Sequence, residues 1–268
     1  MRAQGWNRKA IAWLAVGLVV AVLCMGLALN AEKIARAIGQ LGPRPTTGEV
    51  DEGVVSAVPA APVRDVGYTS WDAEIYPQYY RVVGQAVVDL DIPAGETWYA
   101  PLDELGRARR AAGTIDAATM EAGIARERGD LSAVSPSGWG HNAETVIEAP
   151  NGNDYHGYFW NRSHLLAKSL GGSDEPENLI CGTRMQNVGA NDGEGGMAYA
   201  EGLVRDWLDV HPEGTVFFSA IPAYEGDEPV CRSVIVDVRS SDGVLDFELE
   251  VYNAARGHEI DYTTGEFY

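Results

Sequence analysis

The chain has 268 residues, with 20 lysines and arginines against 39 aspartates and glutamates, and its formal net charge is −19. This length allows one or two domains, and a composition of 46% hydrophobic and 22% charged residues excludes wholesale disorder. Three cysteines are too few for a disulfide-built scaffold or a multi-cysteine zinc module. The acidity alone argues against a protein that binds nucleic acid through a broad basic face.

The acidic charge is concentrated after the first quarter of the chain. Seven of the basic and five of the acidic residues precede residue 68, which leaves 13 against 34 and a net charge of −21 over residues 68–268. Only one of those 13 basic residues is a lysine, Lys168. Any anion site in this region must therefore use a few arginines, a metal ion or backbone N–H groups.

Residues 10–29 form an uncharged run of 20 residues that follows a basic flank at residues 1–9. A helix of this length is about 30 Å long and can cross the hydrocarbon core of a bilayer. The basic flank predicts that residues 1–9 stay in the cytoplasm and that the rest of the chain lies outside. The alternative is a signal segment that is cleaved near residues 26–28, after which the protein would be secreted.

Residues 30–67 are interpreted as a linker. Their second part, residues 42–67, is rich in proline, valine, alanine and acidic residues and has no lasting period of 2 or 3.6. A folded domain is therefore predicted over residues 68–268.

Within that domain the pattern predicts two helices and five strands. A short helix is expected over residues 117–128, and two β-rich runs at 145–148 and 155–160 flank an Asn-Gly turn and predict a hairpin. Apolar residues at helical spacing predict a helix over residues 196–210. Three further strands are expected at residues 216–221, 233–238 and 245–252. The predicted class is α+β with an antiparallel sheet core.

Cys181 and Cys231 are the two cysteines outside the N-terminal apolar segment. In an exported domain such a pair suggests a disulfide, which in the chain-entropy model would stabilise the fold by roughly 4 kcal/mol. Two separate buried thiols are the alternative, and the sequence leaves the choice open.

The candidate catalytic and metal-binding residues lie between residues 155 and 207. Asn161-Arg162-Ser163-His164 ends the predicted hairpin strand, and Asn187 and the helix pair Glu201 and Arg205 follow. Hydrolysis of a phosphodiester needs a base that takes a proton from water, a role that histidine can fill near neutral pH. It also needs a cation that offsets charge on phosphoryl oxygens, and Mg²⁺ accepts a single amide oxygen together with water and substrate phosphate. Arg162 and Arg184 could hold phosphate oxygens.

This stretch resembles the DNA/RNA non-specific endonucleases, a family of ββα-metal (His-Me finger) nucleases, and is similar in particular to membrane-anchored or secreted nucleases of Gram-positive bacteria. The family motif Asp-Arg-Gly-His stands here as residues 161–164, and the resemblance covers most of residues 68–268. It implies a ββα-metal motif, His164 as the general base and Asn187 as the direct ligand of Mg²⁺, or of Mn²⁺ in its place. It further implies that Glu201 acts on the metal through water and that Arg205 supports phosphate.

Two motif positions depart from the family pattern. Asn161 replaces the aspartate and Ser163 replaces the glycine, which puts their supporting roles in doubt but leaves His164 in place. Arg162 has two open roles, a brace for the hairpin or a phosphate contact. Asn178 either orients His164 or caps its loop. The remaining histidines are expected to be structural or solvent-facing: His141, His156, His211 and His258.

The sequence thus predicts a metal-dependent endonuclease that acts outside the cell on DNA, with RNA as an open second substrate. The resemblance further implies products that carry 5′-phosphates. The membrane is expected as a partner through residues 10–29, and no obligate protein partner is indicated. A Ser163–His164 nucleophile–base pair is disfavoured, because adjacent strand residues point to opposite faces. The non-enzymatic alternative is an anchored surface module with a nuclease-like fold that binds but does not cut.

Overall fold

The computed structural model describes residues 64–268. Its three α-helices are α1 (Ala117–Ala125), α2 (Arg184–Val188) and α3 (Gly196–Val210). Twelve strands accompany them in this part of the chain: β1 (Tyr80–Gly84), β2 (Thr97–Tyr99), β3 (Ala111–Asp116), β4 (Glu144–Ile147), β5 (Tyr155–Tyr158), β6 (Trp160–His164), β7 (Leu179–Thr183), β8 (Thr215–Ala223), β9 (Ser233–Ser240), β10 (Asp246–Tyr252), β11 (Ile260–Asp261) and β12 (Glu266–Phe267).

Six strands form one antiparallel sheet in the order β1-β10-β9-β8-β3-β2. The three strands predicted near the C-terminus are β8, β9 and β10, and they pair consecutively as a meander. The α+β class with an antiparallel core is therefore confirmed.

Helix α3 covers one face of this sheet and has the predicted bounds. Its buried stripe includes Met197, Leu203, Val204 and Trp207, which join the strand residues Val216, Phe218, Val236 and Leu249 in the main hydrophobic core. Alternate residues of β9 therefore face the helix, while Asp237 and Arg239 lie on the opposite face of the sheet. The packing fixes α3, and with it Glu201 and Arg205, relative to the sheet.

The predicted hairpin is present, but its second strand is shorter than expected. Strands β4 and β5 pair from Glu144↔Tyr158 to Ile147↔Tyr155, and the chain then changes partner at Phe159. Asn142 hydrogen-bonds both the N–H and the C=O of Trp160, at 2.9 and 3.0 Å, and from Trp160 onward the chain pairs with β7. The motif at residues 161–164 is thus on a separate strand, β6, rather than at the end of the hairpin.

Strands β6 and β7 and helix α2 form a continuous β–β–α unit. The two strands pair from Trp160↔Thr183 to His164↔Leu179, and α2 follows β7 directly. The junction is held by Thr183, whose hydroxyl accepts the Gln186 N–H as a helix N-cap and donates to the Ala254 carbonyl at 2.8 Å. Asn253 accepts the Thr183 N–H at 2.8 Å. This unit carries most of the residues singled out in the sequence.

Cys181 and Cys231 are two buried free thiols in the structure, so the disulfide alternative is not the one observed. Burial raises the pKa of Cys231 to about 12 and also raises that of Cys181, which keeps both protonated. Asn253 donates to the carbonyl oxygens of both residues, at 3.0 and 2.9 Å, and so joins the two segments without a covalent link.

The predicted anchor at residues 10–29 and most of the linker lie outside the described residues. Between residues 64 and 268, no helix combines the length and apolar character that crossing a bilayer requires.

Candidate active site

His164 is the last residue of β6, and its imidazole is fixed by a carboxylate. Its Nε2 is 2.9 Å from Oδ1 of Asp174, on the loop that leads to β7, and Nη2 of Arg126 is 3.6 Å from the same oxygen. Burial lowers the pKa of His164 below its usual 6.5; Asp174 opposes this shift, and Arg126 and Arg128 add to it. The result is an imidazole that is neutral at pH 7 and can accept a proton.

Asn187 lies on α2 and is held by the two motif residues that depart from the family pattern. Ser163 Oγ donates to Oδ1 of Asn187 at 3.2 Å, and Nδ2 of Asn187 donates to Oδ1 of Asn161 at 3.3 Å. Both ends of the amide are therefore fixed, and its oxygen retains a second lone pair for a cation. Asn161 and Ser163 therefore have a supporting role in the structure, because they orient the side chain of Asn187.

Ser163 and His164 make separate contacts. Ser163 is fully buried and donates to Asn187, whereas His164 bonds Asp174. This arrangement does not form the nucleophile–base pair of a serine hydrolase, which requires a hydrogen bond between the two side chains.

Glu201 and Arg205 are one turn apart on α3. Nη1 of Arg205 is 3.9 Å from Oε2 of Glu201 and donates to Oγ of Ser169 at 3.0 Å, in the 3-10 turn that follows His164. The Glu201 side chain is only 14% exposed, and burial raises its pKa to about 7 although Arg205 opposes the shift. This pair differs from a surface ion pair, because the Glu201 carboxyl is buried. The attraction of Arg205 does not offset the cost of burying the carboxylate charge.

The arginines of the motif region are engaged in the scaffold. Arg162 donates to the carbonyls of Val134 and Ser132, at 2.5 and 3.2 Å, and its guanidinium lies 4.0 Å from the ring centre of Trp139. It therefore braces the loop before β4, and a phosphate contact stays a prediction.

Arg184 begins helix α2 and also contacts other site residues. It donates to Asn161 at 3.5 Å and to Asn191, and its guanidinium lies 5.1 Å from the ring centre of Tyr155. Its role towards phosphate likewise stays a prediction.

Asn178 caps the loop after β6. It is fully buried, accepts the Leu166 N–H at 2.8 Å and donates to the carbonyls of Leu166 and Ser173. Of its two open roles, the contacts support the cap.

The remaining histidines lie as expected. His211 stacks on Trp207, His258 is 3.0 Å from the Val146 carbonyl, His141 contacts the ring of Phe267, and His156 is exposed.

Asp174 and Arg126 are site residues that the sequence did not single out. Asp174 is one of three acidic residues in a short polar loop, and in sequence it is indistinguishable from a solvated surface charge. Arg126 lies just beyond helix α1 and donates to the Gly172 carbonyl at 2.6 Å. Only the fold brings these two residues to His164.

The residues present fit a hard divalent cation held mainly by oxygen. Over residues 64–268 no group of three or more His, Cys, Asp or Glu side chains could hold a metal ion by itself. The candidate ligands are the fixed amide oxygen of Asn187 and the buried carboxyl of Glu201. The raised pKa of Glu201 indicates that its carboxylate charge is poorly compensated, and a cation would compensate it. Such a set suits an ion that keeps several waters.

Comparison with known proteins gives consistent matches. The sequence profile of the DNA/RNA non-specific endonuclease family matches residues 88–261. A deoxyribonuclease of Streptococcus dysgalactiae subsp. equisimilis is 32% identical over 234 residues, which is 75% of this chain and 70% of the relative. The structure of Sda1 nuclease with a bound zinc ion superposes with a TM-score of 0.70 at 32% identity and covers 74% of this chain and 99% of that one. NucA of Streptococcus agalactiae with a bound magnesium ion is similar in fold, with a TM-score of 0.52 at 22% identity over 68% of this chain and 83% of that one.

Proposed function

Because this chain belongs to the DNA/RNA non-specific endonuclease family, and is thus a nuclease that hydrolyses phosphodiester bonds, we propose that it is a metal-dependent endonuclease acting on DNA with His164 as general base. The observation that carries the proposal is the β6–β7–α2 unit. It presents a neutral imidazole at the end of β6 and, on α2, an asparagine whose amide is fixed at both ends.

In the proposed reaction, His164 takes a proton from water while the water oxygen attacks phosphorus in line with the leaving group. The P–O3′ bond breaks, so the phosphate remains on the 5′-oxygen of the downstream fragment, and the departing 3′-oxygen takes a proton from solvent. The imidazolium formed is stabilised by the adjacent Asp174 carboxylate and returns its proton to solvent.

Asn187 would hold the divalent metal directly, and Glu201 would act on it through water. When bound, such an ion supplies positive charge that offsets charge on the phosphoryl oxygens and the leaving oxygen. Mg²⁺ is proposed, with Mn²⁺ as a substitute. One solved relative carries zinc and a structure of similar fold carries magnesium. These structures support a divalent metal, and Mg²⁺ as the ion is our proposal.

Arg162, Arg184 and Arg205 are proposed to contact phosphate oxygens. Their charge is local, since the domain as a whole is acidic. RNA is an open second substrate. We place the enzyme outside the cytoplasm, held by residues 10–29 or released after cleavage of that segment.

The test is plasmid cleavage by the full chain. We expect degradation that EDTA stops and that His164→Ala lowers by about 10²- to 10⁴-fold. His156→Ala is the control: it removes a histidine that is exposed and lies outside the site, and it should leave the cleavage rate unchanged. Undiminished cleavage by His164→Ala would remove the assignment. Metal-dependent DNA binding without cleavage by the unchanged protein would favour the binding module instead.

A further inference from the structure

We propose that Asp174 is a positioning residue for catalysis: its carboxylate accepts the Nε2–H of His164 and so directs Nδ1, with its lone pair, towards the attacking water. This inference rests on the proposed role of His164 and adds a residue outside the recognised motif.

The hydrogen bond determines which nitrogen acts. A carboxylate can only accept, so the 2.9 Å contact places the ring proton on Nε2 and leaves Nδ1 as the proton acceptor. When Nδ1 takes the proton of water, the imidazole becomes a cation beside the Asp174 carboxylate. The contact therefore strengthens as the proton is transferred, which is when stabilisation affects the rate.

The Asp174 carboxylate is itself held from the side of helix α1. Arg126 is 3.6 Å from Oδ1 and is anchored on the Gly172 carbonyl at 2.6 Å. A Cβ atom added to Gly129 would lie only 2.7 Å from Oδ2 of Asp174, so the loop after α1 closely approaches the other oxygen. With the loop packed on one side and His164 on the other, the carboxylate has little freedom to rotate.

Three charged groups act on His164: Asp174 raises its pKa, while Arg126 and Arg128 lower it. Removal of the Asp174 charge should therefore lower the pKa of His164 further, whereas a purely structural loop residue would leave this pKa unchanged. This difference allows the two roles to be separated.

The experiment compares four full-length variants in plasmid cleavage. Asp174→Ala should lower kcat by about 10- to 100-fold with KM changed less than about twofold, since a misdirected base impairs the chemical step rather than binding. Asp174→Asn keeps an acceptor oxygen but loses the charge, so it should recover part of kcat and move the acidic limb of the pH profile downward. Gly129→Ala alters no charge but displaces the carboxylate, and should lower kcat. Glu175→Gln makes the same charge change on the neighbouring exposed residue and should match the unchanged protein.

A readout independent of activity is the imidazole region of the ¹H–¹⁵N spectrum, in which the His164 signal is assigned by its loss in His164→Ala. We expect a hydrogen-bonded Nε2–H proton that Asp174→Ala abolishes. An unchanged signal and unchanged kcat in folded Asp174→Ala would overturn the inference. If His164→Ala cleaves normally, the proposed function fails, even where the spectrum still reports the Asp174 contact.

Discussion

Asn161 and Ser163 illustrate how much the role of a single residue depends on its partners. As letters in a motif they are departures from Asp and Gly, yet both bind the side chain of Asn187. His164 could be predicted as the general base from the sequence, because its residue type and motif position indicate that role. Asp174 could not, since its proposed role depends on a contact with a residue ten positions away.

The lowered pKa of His164 predicts the acidic limit of activity. A depressed pKa keeps the imidazole neutral, and so able to act as a base, at pH values below its usual 6.5. The profile of kcat/KM against pH should therefore fall with an apparent pKa below about 6.5. A midpoint clearly above that value, measured at saturating metal, would contradict the environment described for His164.

Glu201 predicts a dependence of stability on pH in the metal-free protein. Its pKa is about 7 when folded and 4.5 ordinarily, so the folded state binds the additional proton between these values. The free energy of unfolding should then fall as pH rises through this window, by at most about 3 kcal/mol relative to Glu201→Gln, which does not titrate.

The measurement is urea unfolding of both proteins in EDTA from pH 4.5 to 8. Parallel curves for the unchanged protein and Glu201→Gln would contradict the burial of the carboxyl.

At the scale of elements, helix α3 could be predicted from apolar residues at helical spacing, and the meander from three largely apolar runs separated by turns. Strand β3 has the sequence Ala-Ala-Gly-Thr-Ile-Asp, whose small residues carry little strand propensity, and its pairing with β2 and β8 makes it a strand. The break between β5 and β6 was missed for a similar reason. The run at 155–160 is continuous in sequence, and the change of partner depends on Asn142.

Gly182 lies in strand β7, two residues before the helix that carries Asn187. A Cβ atom there would lie 2.7 Å from Cβ of Ser163 and 2.3 Å from Oε1 of Gln186. Gly182→Ala should therefore push β6 and α2 apart, cost about 1–3 kcal/mol in the free energy of unfolding and weaken metal binding.

Gly140→Ala is the matched control, because a Cβ at residue 140 meets no atom within 4 Å. Denaturant unfolding and titration calorimetry with Mg²⁺ compare the two. Equal stability and equal metal affinity in both variants would contradict the close packing at Gly182.

On the scale of the whole molecule, the charge distribution sets the affinity for substrate. With a net charge of −21 over residues 68–268, attraction to DNA must come from a few arginines near the site. Three phosphate contacts would raise KM by about 10- to 100-fold between 50 and 200 mM salt. The value of kcat should stay nearly constant.

Arg184→Ala should reduce the slope of log KM against log salt by about one. Arg239→Ala is the control, since Arg239 is exposed on the face of the sheet opposite α3. A KM that is independent of salt, or equal slopes in the two variants, would contradict local arginine contacts.

His164 is the group proposed to take a proton from water, and chemical rescue tests this role most directly. In His164→Gly, added imidazole can occupy the space of the missing ring and replace its base. We expect folded His164→Gly to be nearly inactive on plasmid DNA in the presence of Mg²⁺, and imidazole to restore cleavage in a saturable manner, in proportion to its unprotonated fraction. Cleavage by His164→Gly at the unchanged rate, or a folded variant that imidazole does not restore, would contradict this role.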